Sequence, residues 1–213
     1  MKVIIYTANI NRFDDFYNPK VQEPEYEYYY YTDVHYRESK WKFLKIDTSG
    51  DDRRVARYYK INSHELPPHD ISVWVDSSFR INGNLTKLVN WASRMKEEVF
   101  TYQHPSRRCT YDEANACIKQ GKDNYSIINN QMYKYLAEGF PKNKGMYATG
   151  IMLRKNTPHV YHFNKRWHQE VKDGSLRDQL SIVYAAWKTN TKIRIIPGNI
   201  YQNQYARYVG HRI

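Results

Sequence analysis

The stretch 73–79, Val-Trp-Val-Asp-Ser-Ser-Phe, sets three apolar residues directly against a carboxylate and two hydroxyls. A carboxylate at the tip of a core strand must be solvated, paired or bound to a cation, because an unpaired buried charge is very costly. Asp76 and Ser78 are two residues apart just past the strand, so they can face one side and share a hard cation such as Mg2+ or Mn2+. One carboxylate is a sparse metal shell. At phosphate sites, however, divalent ions often take only one or two protein carboxylates and complete the shell with phosphate oxygens and water. An Asx-type turn capped by Asp76 satisfies the same residues without any ligand.

Three further clusters carry groups suited to anions or acid–base work. Arg57 and Lys60 are three apart on an expected helix, with Arg53 and Arg54 one turn earlier, so they share a face. Arg grips phosphate through a planar fork and Lys acts as a point charge; a solvated basic face is the plainer reading. In "HPSRRC" (104–109), His104, Arg107 and Arg108 follow a strand, where they can meet an anion or an acceptor hydroxyl, or simply furnish a loop. In "SLRDQLS" (175–181), Arg177, Asp178 and Gln179 open an apolar helix, where Asp178 can complement the helix dipole or pair with the arginine.

The sequence lacks H-E-x-x-H and C-x-x-C spacings, a P-loop, and a G-x-G-x-x-G after its first strand. Zinc hydrolase, nucleotide-kinase and nicotinamide chemistry therefore lose their usual signatures. A formal charge of +11 favours an anionic partner, but no run of five basic residues marks a nucleic-acid tail. The 21 tyrosines and five tryptophans offer flat amphipathic surfaces that suit sugars, bases and protein partners alike. Cys109 and Cys117 are eight apart; on one helix they would lie about 12 Å apart, too far to bridge. Reduced thiols in the cytoplasm are the expectation, with a disulfide open only if Cys109 precedes the helix. "MKVIIYTANI" has no signal-peptide pattern, and nothing approaches a membrane span, so a soluble protein is expected.

The elements that must position these groups alternate along the chain. Strands are expected at 2–8, 25–33, 41–47, 71–76, 98–104, 145–155 and 192–198, the sixth with Gly150 inside it. Helices are expected at 51–61, 82–95, 110–121, 125–139, 158–174 and 176–190. Thr110 with Glu113 three residues on is a capping-box pattern, and Gly121 and Gly139 close two helices. The tail from 199 has no clear period. This predicts one α/β domain over 1–213 with a mixed, mainly parallel central sheet flanked by helices, and ligands at the carboxyl ends of its strands. The chain's end at Ile213 without a charged tail is compatible with the first module of a longer polypeptide.

The order of several blocks carries more than any one of them. "YTANI", "RYYKINSH", "SVWVDSSF", "HPSRRCTYDEANAC", "NNQMYKYLAEGFP", "GIMLRKN" and "SLRDQLSIVYAAWK" together resemble the glycosyltransferase-like family that includes plant mucilage-related proteins of the TOD type. Within that resemblance they look most like the glycosyltransferase domains of large chlorella viruses. The likeness runs from Val3 to about Lys188. It implies a GT-A-type, Rossmann-like nucleotide-sugar-binding fold and a metal-dependent transferase, expected to be monomeric and, if viral, to act in the host cytoplasm.

The resemblance also implies site roles. The strand-end motif of the family reads D-x-D; here it is Asp76-Ser77-Ser78, so a neutral hydroxyl stands where a second carboxylate is usual. Asp76, Ser78 and His211, the last by similarity to GT-A enzymes with a histidine near the C-terminus, are the expected ligands of Mn2+ or Mg2+. Thr7, Ala8, Asn9, Arg57, Lys60, Asp76 and Ser77 are assigned to the donor, expected to be a UDP-sugar, and His104 and Arg107 to the glycan or glycoprotein acceptor. Asp178 and Gln179 are placed beside the anomeric carbon, with Asp178 as the base if the enzyme inverts and either of them as charge stabiliser if it retains; the Asp-Gln pair is similar to that of retaining galactosyltransferases, which makes retention the expectation. Trp167 and Glu170 are candidates for the sugar pocket or, for Trp167, the core. A basic, Tyr-rich nucleic-acid-binding module and a non-catalytic glycosyltransferase fold are the rival readings.

Overall fold

The N-terminal apolar run forms β1 (Val3–Ala8), which is buried at every position. It can be so only because strands flank it on both sides: β2 (Glu27–Thr32) and β4 (Ile71–Val75), both parallel to it. The computed structural model describes residues 1–34, 36–46 and 50–211. β2 continues outward in parallel to the edge strand β3 (Lys42–Lys45). The predicted strand 41–47 ends at Asp47, which lies outside the described residues.

On the other side of β4, β7 (Tyr147–Lys155) runs antiparallel to both β4 and β6 (Val99–Gln103), and β8 (Ile193–Ile195) closes the sheet in parallel to β6. The seven-strand order is β3-β2-β1-β4-β7-β6-β8, the mixed and mainly parallel sheet expected. Strands covered on both faces read as continuous apolar runs rather than alternating ones. That explains the four tyrosines of β2: Tyr29 and Tyr31 enter one core, Tyr28 and Tyr30 the other.

One face of the sheet carries α1 (Asp52–Ile61), α3 (Thr110–Lys119), α4 (Tyr125–Ala137), α5 (Pro158–Asp173) and α6 (Gln179–Lys188). The other carries α2 (Thr86–Arg94) and a two-stranded ribbon, β5 (Phe79–Ile81) with β9 (Ala206–Tyr208). Neither ribbon strand is predicted from sequence: three residues are too few to show a period. Among the described residues no helix is long and apolar enough to cross a membrane.

Two local expectations fail for physical reasons. The capping box at Thr110 does not form; Cys109 is the N-cap and makes no side-chain cap bond. Glu113, 1% exposed, is taken instead by the Arg107 guanidinium and approached by His104, a charge-assisted pairing stronger than a cap to one backbone amide. The helix expected from residue 82 begins at Thr86, because Asn82 and Gly83 donate their amides to the Tyr205 carbonyl. Cys109 does precede α3, yet both cysteines are free and buried.

Gly83 marks where the ribbon closes: a Cβ there would sit 1.9 Å from the Gln204 carbonyl oxygen. Backbone cannot swing aside as a side chain does. Gly83→Ala should therefore cost about 1–3 kcal/mol of stability, the range for overpacking, read as a lowered thermal midpoint. An unchanged midpoint would mean that the 203–206 segment shifts freely.

The end of α1 is anchored from within. Arg154, 1% exposed, donates to the Ile61 carbonyl at 2.7 Å, to the Lys60 carbonyl and to the Tyr6 hydroxyl, and Tyr6 itself donates to the Lys60 carbonyl at 2.9 Å. These bonds satisfy carbonyls that a helix C-terminus leaves open. They also fix the point from which Lys60 projects.

Candidate active site

A cleft of about 280 Å3 opens at the carboxyl ends of β1 and β4. Asp76 follows the last residue of β4, its amide donating to the Gly150 carbonyl of β7 at 2.8 Å. Asp76 Oδ1 accepts the Trp74 indole N–H at 2.7 Å and faces Lys60 Nζ at 3.3 Å. Lys60 reaches Asp178 Oδ2 at 2.9 Å and the Thr149 hydroxyl at 3.1 Å, and that hydroxyl donates to Asp178 Oδ2 at 2.7 Å. Arg57 Nε stands 3.0 Å from Asp178 Oδ1. The side chains of Lys60 and Asp178 are 1% and 4% exposed, so the pair sits in low dielectric and each charge requires the other.

Burial alone would raise the Asp178 carboxyl; Lys60, Arg57 and the Thr149 hydroxyl outweigh it and hold the group well below the ordinary carboxylate range. Asp178 is a fixed anion and a weak base. Its backbone is equally fixed, with its carbonyl accepting the Trp167 indole N–H at 2.9 Å. Trp167, fully buried, is therefore core. Glu170 is turned to Lys134 and Arg166 and does not line the cleft.

A second centre lies across the cleft. Asp14, 4% exposed, accepts the Ser77 hydroxyl on Oδ2 and meets His211 Nδ1 with Oδ1 at 2.8 Å. That hydrogen bond is the main reason His211 is raised above its usual value. Asn9 organises the intervening turn, accepting the Asp14 amide at 3.0 Å and donating to the Asp14 carbonyl at 2.7 Å. The C-terminal segment is drawn over the site by β9 and by the Val209 amide, which donates to the Ser78 carbonyl at 2.8 Å.

The donor set tests whether a divalent cation fits. Asp76 Oδ2, the Ser78 hydroxyl and His211 Nε2 have no hydrogen-bond partner among the described residues, and all three residues line the cleft. A carboxylate, a hydroxyl and an imidazole whose other nitrogen is held by a carboxylate suit Mn2+ or Mg2+. Among the described residues no group of three His, Cys, Asp or Glu side chains is arranged for a metal, so the protein offers a partial shell. It fits a cation that a phosphate-bearing ligand completes.

Most of the residues singled out from sequence meet here: Ala8, Asn9, Arg57, Lys60, Asp76, Ser77, Ser78, Asp178, Gln179 and His211 line one cavity. Three do not. Thr7 faces a separate small void shared with Tyr30 and Trp41, because β1 alternates its side chains between the two faces. His104 accepts the amides of Ser106 and Arg107 on Nδ1 at 3.2 and 3.0 Å, and Arg107 is committed to Glu113. Both hold the 104–109 turn together rather than face the cleft.

Sequence reasoning missed Asp14, Thr149, Tyr201 and Tyr208 as cleft residues, and took Arg177 no further than a neighbour of Asp178. Gly150 was legible as a close approach. A Cβ there would meet the Phe79 ring at 2.9 Å, Ile200 Cδ1 at 3.1 Å and Asp76 Oδ2 at 3.4 Å. Gly150→Ala should press on the Phe79 ring and Ile200 while leaving Asp76 Oδ2 at ordinary contact distance, and so cost about 1–3 kcal/mol of stability, the range for overpacking. Thermal unfolding checks this; an unaltered midpoint would show that Phe79 and Ile200 give way freely.

The sheet order, the helices on both faces and the charged cleft at the strand ends define a single GT-A-like α/β domain. Over residues 17–210 the chain matches, and belongs to, the family described as TOD1/MUCI70, glycosyltransferase-like domain. The solved structure of the apo WbbM bifunctional glycosyltransferase is similar in fold, with a TM-score of 0.51 and 11% identity over 92% of this chain and 38% of that one. Apo mouse xyloside xylosyltransferase 1 aligns over 92% of this chain and 84% of its own, with a TM-score of 0.48 and 10% identity. No curated protein sequence matches the chain.

Proposed function

We propose that this domain transfers a sugar from a UDP-sugar to a glycan hydroxyl, with retention of anomeric configuration and with the help of Mn2+ or Mg2+. The observation that carries the reading is the charged quartet Lys60, Arg57, Asp76 and Asp178 at the strand ends, with Lys60 and Asp178 buried, in a chain of the glycosyltransferase-like family. Arg57, Arg53 and Arg177 line the cleft and supply positive charge for a diphosphate. Asp76, Ser78 and His211 would hold the cation, which, when bound, acts as a Lewis acid on the leaving diphosphate. Ala8 and Asn9 would meet the base through the backbone.

The chemistry of Asp178 favours retention. An inverting transferase needs a base near its operating pH to take the acceptor proton, and a carboxylate clamped between Lys60 and Arg57 is poor at that. It stays ionised at any working pH and can contribute a fixed negative charge, partly offset by Lys60 and Arg57, beside an anomeric carbon. Gln179 donates to the Tyr147 carbonyl at 3.1 Å, which holds its amide at the cleft wall beside Asp178.

Calorimetric titration with UDP, GDP and CDP, each with and without Mn2+, tests the reading. UDP should bind, and only with the metal. Equal binding of all three nucleotides without metal would overturn the donor and cofactor assignments together.

A further inference from the structure

On the far side of the 196–205 segment from the cleft lies a second concavity, of about 380 Å3, between that segment and α2. Its floor is apolar, Leu88 and Ile196 being 2% and 1% exposed, and its walls include the half-buried rings of Trp91 and Tyr205. In a chain of net charge +11, none of the residues lining this groove is charged.

The polar groups it does offer are amides and an indole. Trp41, Trp74 and Trp167 donate their N–H groups to protein acceptors. The Trp91 N–H has no acceptor among the described residues, and solvent reaches it. Gln204 donates to the Tyr205 hydroxyl at 3.0 Å, which leaves its carbonyl oxygen to accept. The Gln202 side-chain amide also makes no bond among the described residues, though its backbone amide is held by Asn199. The groove is built in advance: Asn203 spends both side-chain groups on the loop, donating to the Ile200 carbonyl at 2.6 Å and accepting the Tyr205 and Ala206 amides, each at 2.9 Å.

We infer that this groove binds a neutral saccharide chain. Aromatic faces beside a few spare amide groups match pyranose rings, which present C–H faces to stack and hydroxyls to pair. A phosphate or a nucleic acid would call for Lys or Arg, and the groove has neither. Ile200 and Tyr201 of this segment line the cleft, so the segment stands between the two sites and each can be probed apart from the other. The inference takes its ligand class from the glycosyltransferase reading, but its geometry is independent of the cleft.

The test is an NMR titration of the 15N-labelled chain with cellohexaose, xylohexaose and maltohexaose, and separately with UDP plus Mg2+. At least one oligosaccharide should shift the Trp91 indole and the Gln202 and Gln204 side-chain amide signals saturably, with no response to added NaCl. Trp91→Phe should lose the shifts at the Gln202 and Gln204 amides, and Gln202→Ala, at an exposed position, those at the Trp91 indole and the Gln204 amide, while the rest of the spectrum is retained. UDP should move Gly150 and Gln179 and leave Trp91 unmoved. If no oligosaccharide reaches Trp91, or if the oligosaccharides move only cleft signals, the inference falls. Concentration-dependent broadening of Trp91 without sugar would assign the groove to a second copy of the chain and overturn it as well. Silence towards UDP would sink the proposed function and leave the saccharide result to stand by itself.

Discussion

Lys60→Met is expected to lower the thermal midpoint by roughly 6–20 °C and to abolish transfer. Removing one partner of a buried ion pair typically costs about 3–5 kcal/mol, because the other charge is left desolvated. In a domain of this size each kcal/mol moves the midpoint by about 2–4 °C. Arg57 stays 3.0 Å from Asp178, and Asp76 keeps the Trp74 N–H, so the loss should fall in the lower part of the range.

The same substitution should flatten the acid limb of the stability curve. The folded-state pKa of Asp178 is depressed, so its contribution is fully present above the unfolded value of about 3.9. That contribution drains away as pH falls below it towards the folded value. Without Lys60 the depression shrinks, and less stability remains for acid to remove. Unfolding midpoints measured from neutral pH down to pH 3 check both claims. A variant as stable as the parent, with the same acid limb, would show that the cluster contributes little to folding.

Asp76→Ala should do the reverse, sparing most of the stability and removing metal-dependent nucleotide binding. Asp76 is a quarter exposed, and Lys60 keeps its shorter contact with Asp178 after the change. The main structural loss is the acceptor for the Trp74 N–H, about 1–3 kcal/mol for a buried donor left unpaired. For binding, loss of groups that merely support a metal ligand already costs about 10–100-fold, so losing the carboxylate proposed to ligate should cost at least that much. Calorimetry with UDP and Mn2+ reads the affinity, and thermal unfolding reads the fold. Unimpaired Mn2+-dependent UDP binding would remove Asp76 from the metal site.

How far the site could be read from the chain varies residue by residue. Asp76 was legible because a charge ends an apolar strand, and Gly150 because a glycine interrupts one. Lys60 was named from its spacing with Arg57, but as a diphosphate contact; that spacing is equally that of a solvated face. Nothing local marks Lys60 as buried, since its burial depends on two carboxylates, Asp76 and Asp178, and the Thr149 hydroxyl, which three separate segments bring to it. His104 and Arg107 show the converse. Their motif is distinctive, yet it serves a turn held by Glu113, and a motif does not say whether its residues meet a ligand or each other.

By itself the sequence determined the alternation of strands and helices, the helix ends at Gly121 and Gly139, and the blocks that mark the family. These rest on periodicity and local backbone preference, which act within a few residues. Only the tertiary structure decided that β2 is buried on both faces, that 79–81 and 206–208 pair, and that Asp14 meets His211 across 197 residues. Such pairings are set by which chain ends converge at the edge of the sheet. Their energies come from desolvated charge and closed backbone ladders, and those exist only once distant segments have met.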